Sequence, residues 1–216
     1  MWALERFEQS THPGVWQFID KSCIIQEIQD RLSNPSIVCQ GGMLLSGAAA
    51  IAFELLRKNP FRYVCLCHSL FETGGFQTLH RRVQVSEHMR QTRVSDYWAE
   101  QLPSQSLDLT PLMSALDWML LTTFHETQLS AFPAPSFMPF MPQSICQHPQ
   151  LAKPWELKGW LKEVLGYRQV RYHHDHFWMA LRSTERLWKR AAKVISKGGR
   201  AIALVTMTPA LTASPL

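Results

Sequence analysis

The stretch of this 216-residue chain whose residue types could do chemistry is Gln40-Gly41-Gly42-Met43-Leu44-Leu45-Ser46-Gly47-Ala48-Ala49-Ala50. A loop holding a carboxamide and two glycines runs into an Ala-rich segment that opens on a hydroxyl. A helix starting at Ser46 would set that hydroxyl in the positive end of the helix dipole, beside backbone N–H groups with no helical partner. The Gln40 side-chain amide, brought alongside, would supply a second donor to an oxyanion. Gly47 and Ala48 are small enough to leave the backbone clear for a substrate carbonyl. Together these are the parts of an acyl-transfer site. Ser46 would be its nucleophile, and a serine hydroxyl needs a well-placed general base. The competing reading is structural: Ser46 as a helix N-cap after a Gly-Gly turn.

Among the nine histidines, the candidate bases, His173-His174-Asp175-His176 is the densest group. It could form a metal site or supply a substitute base. Consecutive residues on a strand face opposite ways, so at most two of the three histidines would converge. An exposed polar turn accounts for them equally simply. His12, in Thr11-His12-Pro13-Gly14, and His68 read as packing or solvent contacts. The five cysteines, Cys23, Cys39, Cys65, Cys67 and Cys146, are odd in number and irregular in spacing. That pattern suits reduced, mostly buried thiols rather than a disulfide framework. No cofactor motif is present. Tryptophans such as Trp118, Trp155, Trp160, Trp178 and Trp188 read as core or lobe interface.

The elements that must position Ser46 follow from periodicity and punctuation. Residues 18–32 predict a helix on Ile24, Ile28 and Leu32, stopped by Asn34-Pro35. A helix from Ser46 to about Arg57 closes at Asn59-Pro60, and another runs from Pro60 to about Phe71, before Gly74-Gly75. Residues 76–108 read as short helices and loops. Thr110-Pro111 is a helix start with a hydroxyl cap and Pro at the first position, and Leu112, Leu116, Met119 and Leu120 form the buried stripe. Six prolines between Pro133 and Pro154, interleaved with Phe and Met, mark a connector. A helix is expected from Pro154 to Leu165, a strand over 167–172, a basic helix over 184–196 stopped by Gly198-Gly199, and a strand over 201–206.

With 46% apolar and 18% charged residues the chain is a globular protein, not a disordered segment. No apolar run reaches the roughly 18 residues of a membrane span, so no integral membrane segment is expected. The acidic groups of the first residues do not suit an export signal. The net charge of +5 is concentrated: residues 153–200 hold 12 basic and 4 acidic groups. Such a segment can meet phosphate, lipid headgroups or an acidic partner, or can simply be a solvated helix face. No nucleic-acid motif accompanies it, and nucleic acid is not the expected partner.

The order of these motifs resembles that of papain-like cysteine peptidases, in which Gln-x5-Cys opens a central helix. The likeness is to the branch found among bacterial secreted effectors and toxins. It rests on Asn34-Pro35, Gln40-Gly41, Leu45-Ser46-Gly47-Ala48-Ala49, Pro60-Phe61-Arg62-Tyr63-Val64, Leu70-Phe71-Glu72-Thr73-Gly74 and Asp117-Trp118-Met119. Trp155-Glu156-Leu157, Gly166-Tyr167 and Gly198-Gly199 extend it, so it spans about residues 15 to 210. The resemblance implies an α+β fold with a helical lobe over 1–130, a connector over 131–152 and a basic α/β lobe over 153–216 that is short of strands. It implies Ser46 at the nucleophile position, where the family has Cys, and Gln40 as oxyanion-hole donor. The family's catalytic His is expected after the strand at 201–206; no His follows His176.

The implied function is hydrolysis of an amide or ester carbonyl, as a peptidase or amidase, without cofactor or metal. The substrate would be a peptide or a cell-wall-like amide polymer, and an immunity protein is the expected protein partner. The resemblance implies synthesis in a bacterial cytoplasm and export by a specialised secretion system. The alternative is a non-catalytic partner-binding protein that keeps the fold.

Overall fold

The computed structural model describes residues 2–41, 45–101, 113–132, 153–171 and 180–202. Local chemistry sets most of the helix boundaries. Helix α2 (Lys21–Ser33) starts where the Asp20 carboxylate accepts the N–H groups of Ser22 and Cys23. Ile24 and Ile28 are fully buried, whereas Leu32, on the same expected stripe, is exposed. Asn34 ends α2 and opens a 3-10 turn, Pro35–Ile37. Helices α3 (Ser46–Lys58) and α4 (Pro60–Thr73) meet at Asn59, which serves both. Its N–H donates to Leu55 O, closing α3, and its side chain accepts from Arg62 N–H, opening α4 with Pro60 at the first position. Gly74 ends α4 at φ +71, a left-handed value that Gly adopts without penalty.

Helix α1 (Trp2–Gln9) was not anticipated. It buries Ala3 and Phe7 one turn apart, and Phe7 stacks on His68 with ring centroids 4.4 Å apart. Strands β1 (Gly75–Gln77) and β2 (Arg82–Gln84) form an antiparallel hairpin with Phe76 opposite Val83. Three residues per strand are too few for alternation to register, which is why the hairpin was absent from the expectations. Helices α5 (Glu87–Gln91) and α6 (Val94–Gln101) match the short helices expected there.

Helix α7 (Ala115–Ala131) buries Leu116, Met119 and Leu120 as expected. The proposed start at Thr110-Pro111 lies outside the described residues. At Ala115 the N–H groups of Ala115 and Leu116 donate to the Glu27 carboxylate of α2, at 3.3 and 2.7 Å. The N–H of Asp117 donates to Ser114 Oγ. Helix α8 (Pro154–Glu163) and helix α9 (Ala180–Ile195) fall where expected. Residues 133–152 of the connector lie outside the described residues.

Residues 167–171 are irregular, so the expected strand over 167–172 is corrected across its described part. Among the described residues no strand pairs with them. Instead Tyr167 is held by its side chain: its hydroxyl donates to Glu54 Oε1 at 2.6 Å, and the Lys58 ammonium sits 3.7 Å above its ring. Of the strand expected over 201–206, Ala201 and Ile202 are irregular and 203–206 lie outside the described residues.

The chain divides into two compact units, Met1–Arg171 and Tyr172–Leu216. In the first, α3 packs against α4, α7 and α8, and α4 packs against α1 and β1. Trp118, Tyr63, Phe7, Phe71 and Phe124 are the largest fully buried side chains. The second holds α9. The described residues are predominantly helical with one two-stranded antiparallel sheet. None of their helices is long and apolar enough to cross a membrane.

Candidate functional site

Ser46 is the first residue of α3 and is exposed, while Gly47 and Ala48 behind it are buried. Leu45, which precedes it, gives the helix no side-chain cap. The helix's own bonding begins when Ala49 N–H donates to Leu45 O at 2.9 Å. The N–H groups of Ser46, Gly47 and Ala48 are therefore left outside it. Ser46 stands within the helix and not at the capping position, so its hydroxyl is not spent on a cap. Among the described residues no side chain hydrogen bonds to it.

Gln40 lies in the loop before α3 and is half-buried. Its Oε1 is buried and finds no hydrogen-bond partner among the described residues. Gly41 follows at φ +58, and its N–H donates to Cys39 Sγ at 3.3 Å. No hydrogen bond joins Gln40 to Ser46, and residues 42–44 between them lie outside the described ones.

What fixes the loop is a carboxylate that sequence reasoning left in the background. Asp117, fully buried on α7, accepts from Cys39 N–H at 2.9 Å through Oδ2. The same carboxylate takes both Arg31 Nε (3.1 Å, on Oδ1) and Nη2 (2.6 Å, on Oδ2) in a bidentate pair. Arg31 also donates to Ser114 Oγ and to the Glu27 carbonyl. Burial works against the Arg31 charge, but the Asp117 carboxylate outweighs it and holds the guanidinium above its ordinary pKa. The signal in the sequence was an acid set in an apolar run, Leu116-Asp117-Trp118-Met119. Such a residue is buried only with a partner.

Three of the described histidines have partners away from Ser46. His68 Nε2 lies 2.9 Å from Glu72 Oε1, and His80 Nδ1 lies 3.1 Å from Glu163 Oε1. His12 Nδ1 accepts from Gly14 N–H. None of them bonds to Ser46. His173, His174 and His176 lie outside the described residues. Of the four described cysteines Cys67 is buried, Cys65 is half-buried, and Cys23 and Cys39 are exposed, which corrects the expectation of mostly buried thiols. Partial burial, with the Glu27 carboxylate 3.4 Å away, pushes the Cys23 thiol up to about 11, so it is a poor nucleophile at neutral pH. Trp118 and Trp160 are core residues as expected, Trp188 is exposed and Trp178 lies outside the described residues.

A cavity of about 360 Å³ opens between Trp16, Phe18, Arg93, Met113 and Trp118, and one of about 240 Å³ between Leu4, Leu32, Phe61 and Val64. Neither is lined by Gln40 or Ser46. No protein-family model matches the chain, nor does any curated protein or solved structure.

Proposed function

We propose that this chain is a papain-like hydrolase of the bacterial effector or toxin kind, acting on an amide or ester carbonyl of a peptide or cell-wall-like polymer. The observation that carries the reading is the exposed, uncapped Ser46 at the first position of α3, behind a Gln40 loop tethered to buried Asp117. In the proposed reaction Ser46 Oγ attacks the carbonyl carbon and the carbonyl electron pair moves to oxygen. The resulting oxyanion is met by the Ser46 N–H and the Gln40 amide. Collapse expels the amine or alcohol and leaves an acyl-serine, which water then hydrolyses. Among the described residues no histidine bonds to Ser46, so the hydroxyl proton passes to water as the new bond forms, and water returns a proton to the departing amine or alcohol.

A second reading, a non-catalytic partner-binding protein that keeps the scaffold, is favoured by the same lack of a described base beside Ser46. An acyl-reactive fluorophosphonate probe separates the two. The hydrolase reading expects covalent labelling that is lost in Ser46→Ala and slowed about 100-fold in Gln40→Ala, the order expected for one oxyanion donor. Absence of labelling, or labelling that persists in Ser46→Ala, sinks it in favour of the binder.

A further inference from the structure

Independently of the reading of Ser46, we infer that α9 is an interfacial helix that lays the second unit on an anionic lipid surface. Over its last turns Trp188, Ala191 and Ile195 recur at i, i+3 and i+7 and so share one stripe, with Val194 beside it. Trp188 is 64% exposed, Ile195 56% and Val194 45%, and Ala191 is half-buried. Lys189, Arg190 and Lys193 occupy the opposite side of the helix and are exposed as well. Residues 180–200 hold seven basic groups against one acid, Glu185, which pairs with Lys189 at 2.7 Å.

Sixteen residues span about 24 Å as a helix, too short and too charged to cross a bilayer. An apolar stripe bearing Trp beneath a Lys/Arg face is instead the form that lies in the membrane plane, with the ring at headgroup level and cations on lipid phosphates. The charge complementarity decides between occupants. A nucleic-acid backbone would satisfy the cations but leave Trp188, Val194 and Ile195 in water. A protein groove that grips a helix selects bulky anchors at successive turns, and the middle position of this stripe is Ala191. An anionic lipid surface is the occupant that takes both faces at once.

The test is co-sedimentation of the full chain with vesicles of phosphatidylcholine alone and of phosphatidylcholine with one quarter phosphatidylglycerol. The inference expects at least tenfold stronger partitioning to the anionic vesicles, weakening as salt is raised. Trp188→Ser with Ile195→Ser, and separately Lys189→Glu with Lys193→Glu, should each reduce it about tenfold with the circular dichroism spectrum unchanged. Three results overturn it: no partitioning to either vesicle, wild-type partitioning by the Trp188/Ile195 variant, or binding to duplex DNA or an acidic protein while vesicles stay unbound.

Discussion

At the scale of single residues, Asp117 joins three parts of the first unit: Arg31 of α2, its own helix α7, and the Cys39 N–H of the loop that carries Gln40. Removing one partner of a buried ion pair strands the other charge, at a cost of about 3–5 kcal/mol. Asp117→Leu should therefore lower the urea-unfolding free energy by about that amount. Asp117→Leu combined with Arg31→Met removes both charges and should recover a good part of the loss. Equal losses in the single and double variants would show that the stranded Arg31 charge is not the source of the cost. The same substitution should slow labelling of Ser46 only if Gln40 acts through its tether, which links stability at Asp117 to chemistry at the site.

At the scale of elements, Asn59 does two jobs in one position, ending α3 and capping α4. Asn59→Ala keeps the backbone N–H that closes α3 and loses the cap on α4, so a destabilisation of about 1 kcal/mol is expected by thermal or urea unfolding. Wild-type stability would mean that the Arg62 N–H finds another acceptor. The residues that made these elements legible in the sequence are of this kind. Asn59-Pro60, Asn34-Pro35 and Gly74 act on their own neighbours, so their meaning survives without the fold. The start of α3 at Ser46 was legible for the same reason. The hairpin at Gly75–Gln84 and the Asp117–Arg31 pair were not. The first has strands too short to show a period, and the second joins residues 86 positions apart, a contact no local pattern encodes. The region 167–171 alternates but forms no strand, and no strand pairs with it among the described residues. Tyr167 had a nearer solution in Glu54 and Lys58.

At the scale of the whole molecule, acid stability follows from which carboxylates are held charged. Burial would raise Glu163, but the His80 N–H and the Thr78 hydroxyl outweigh it and hold its pKa below the ordinary 4.5. Glu72 is likewise pushed up by burial and brought below 4.5 by the Ser10 hydroxyl and His68. Glu156 behaves oppositely, raised by burial more than Lys153 lowers it. A depressed folded pKa contributes stability above the unfolded value that is lost as pH falls through the folded one. Stability carried by Glu163 and Glu72 should thus fade below pH 4.5, whereas the gain from protonating Glu156 comes earlier, as pH falls toward 4.5 from above. Glu163→Gln should flatten the profile in that range, and a profile parallel to wild type would contradict the assignment. The claim on which the proposed function depends is that the position at the head of α3 activates a nucleophile, and replacing its weak acid by a titratable one reads this directly. In a Cys23→Ser, Cys39→Ser background, Ser46→Cys should be alkylated with a pH midpoint at least one unit below the ordinary thiol value of about 8.5. A midpoint at or above that value would contradict the account, because it would show that position 46 is an ordinary exposed side chain at a helix end.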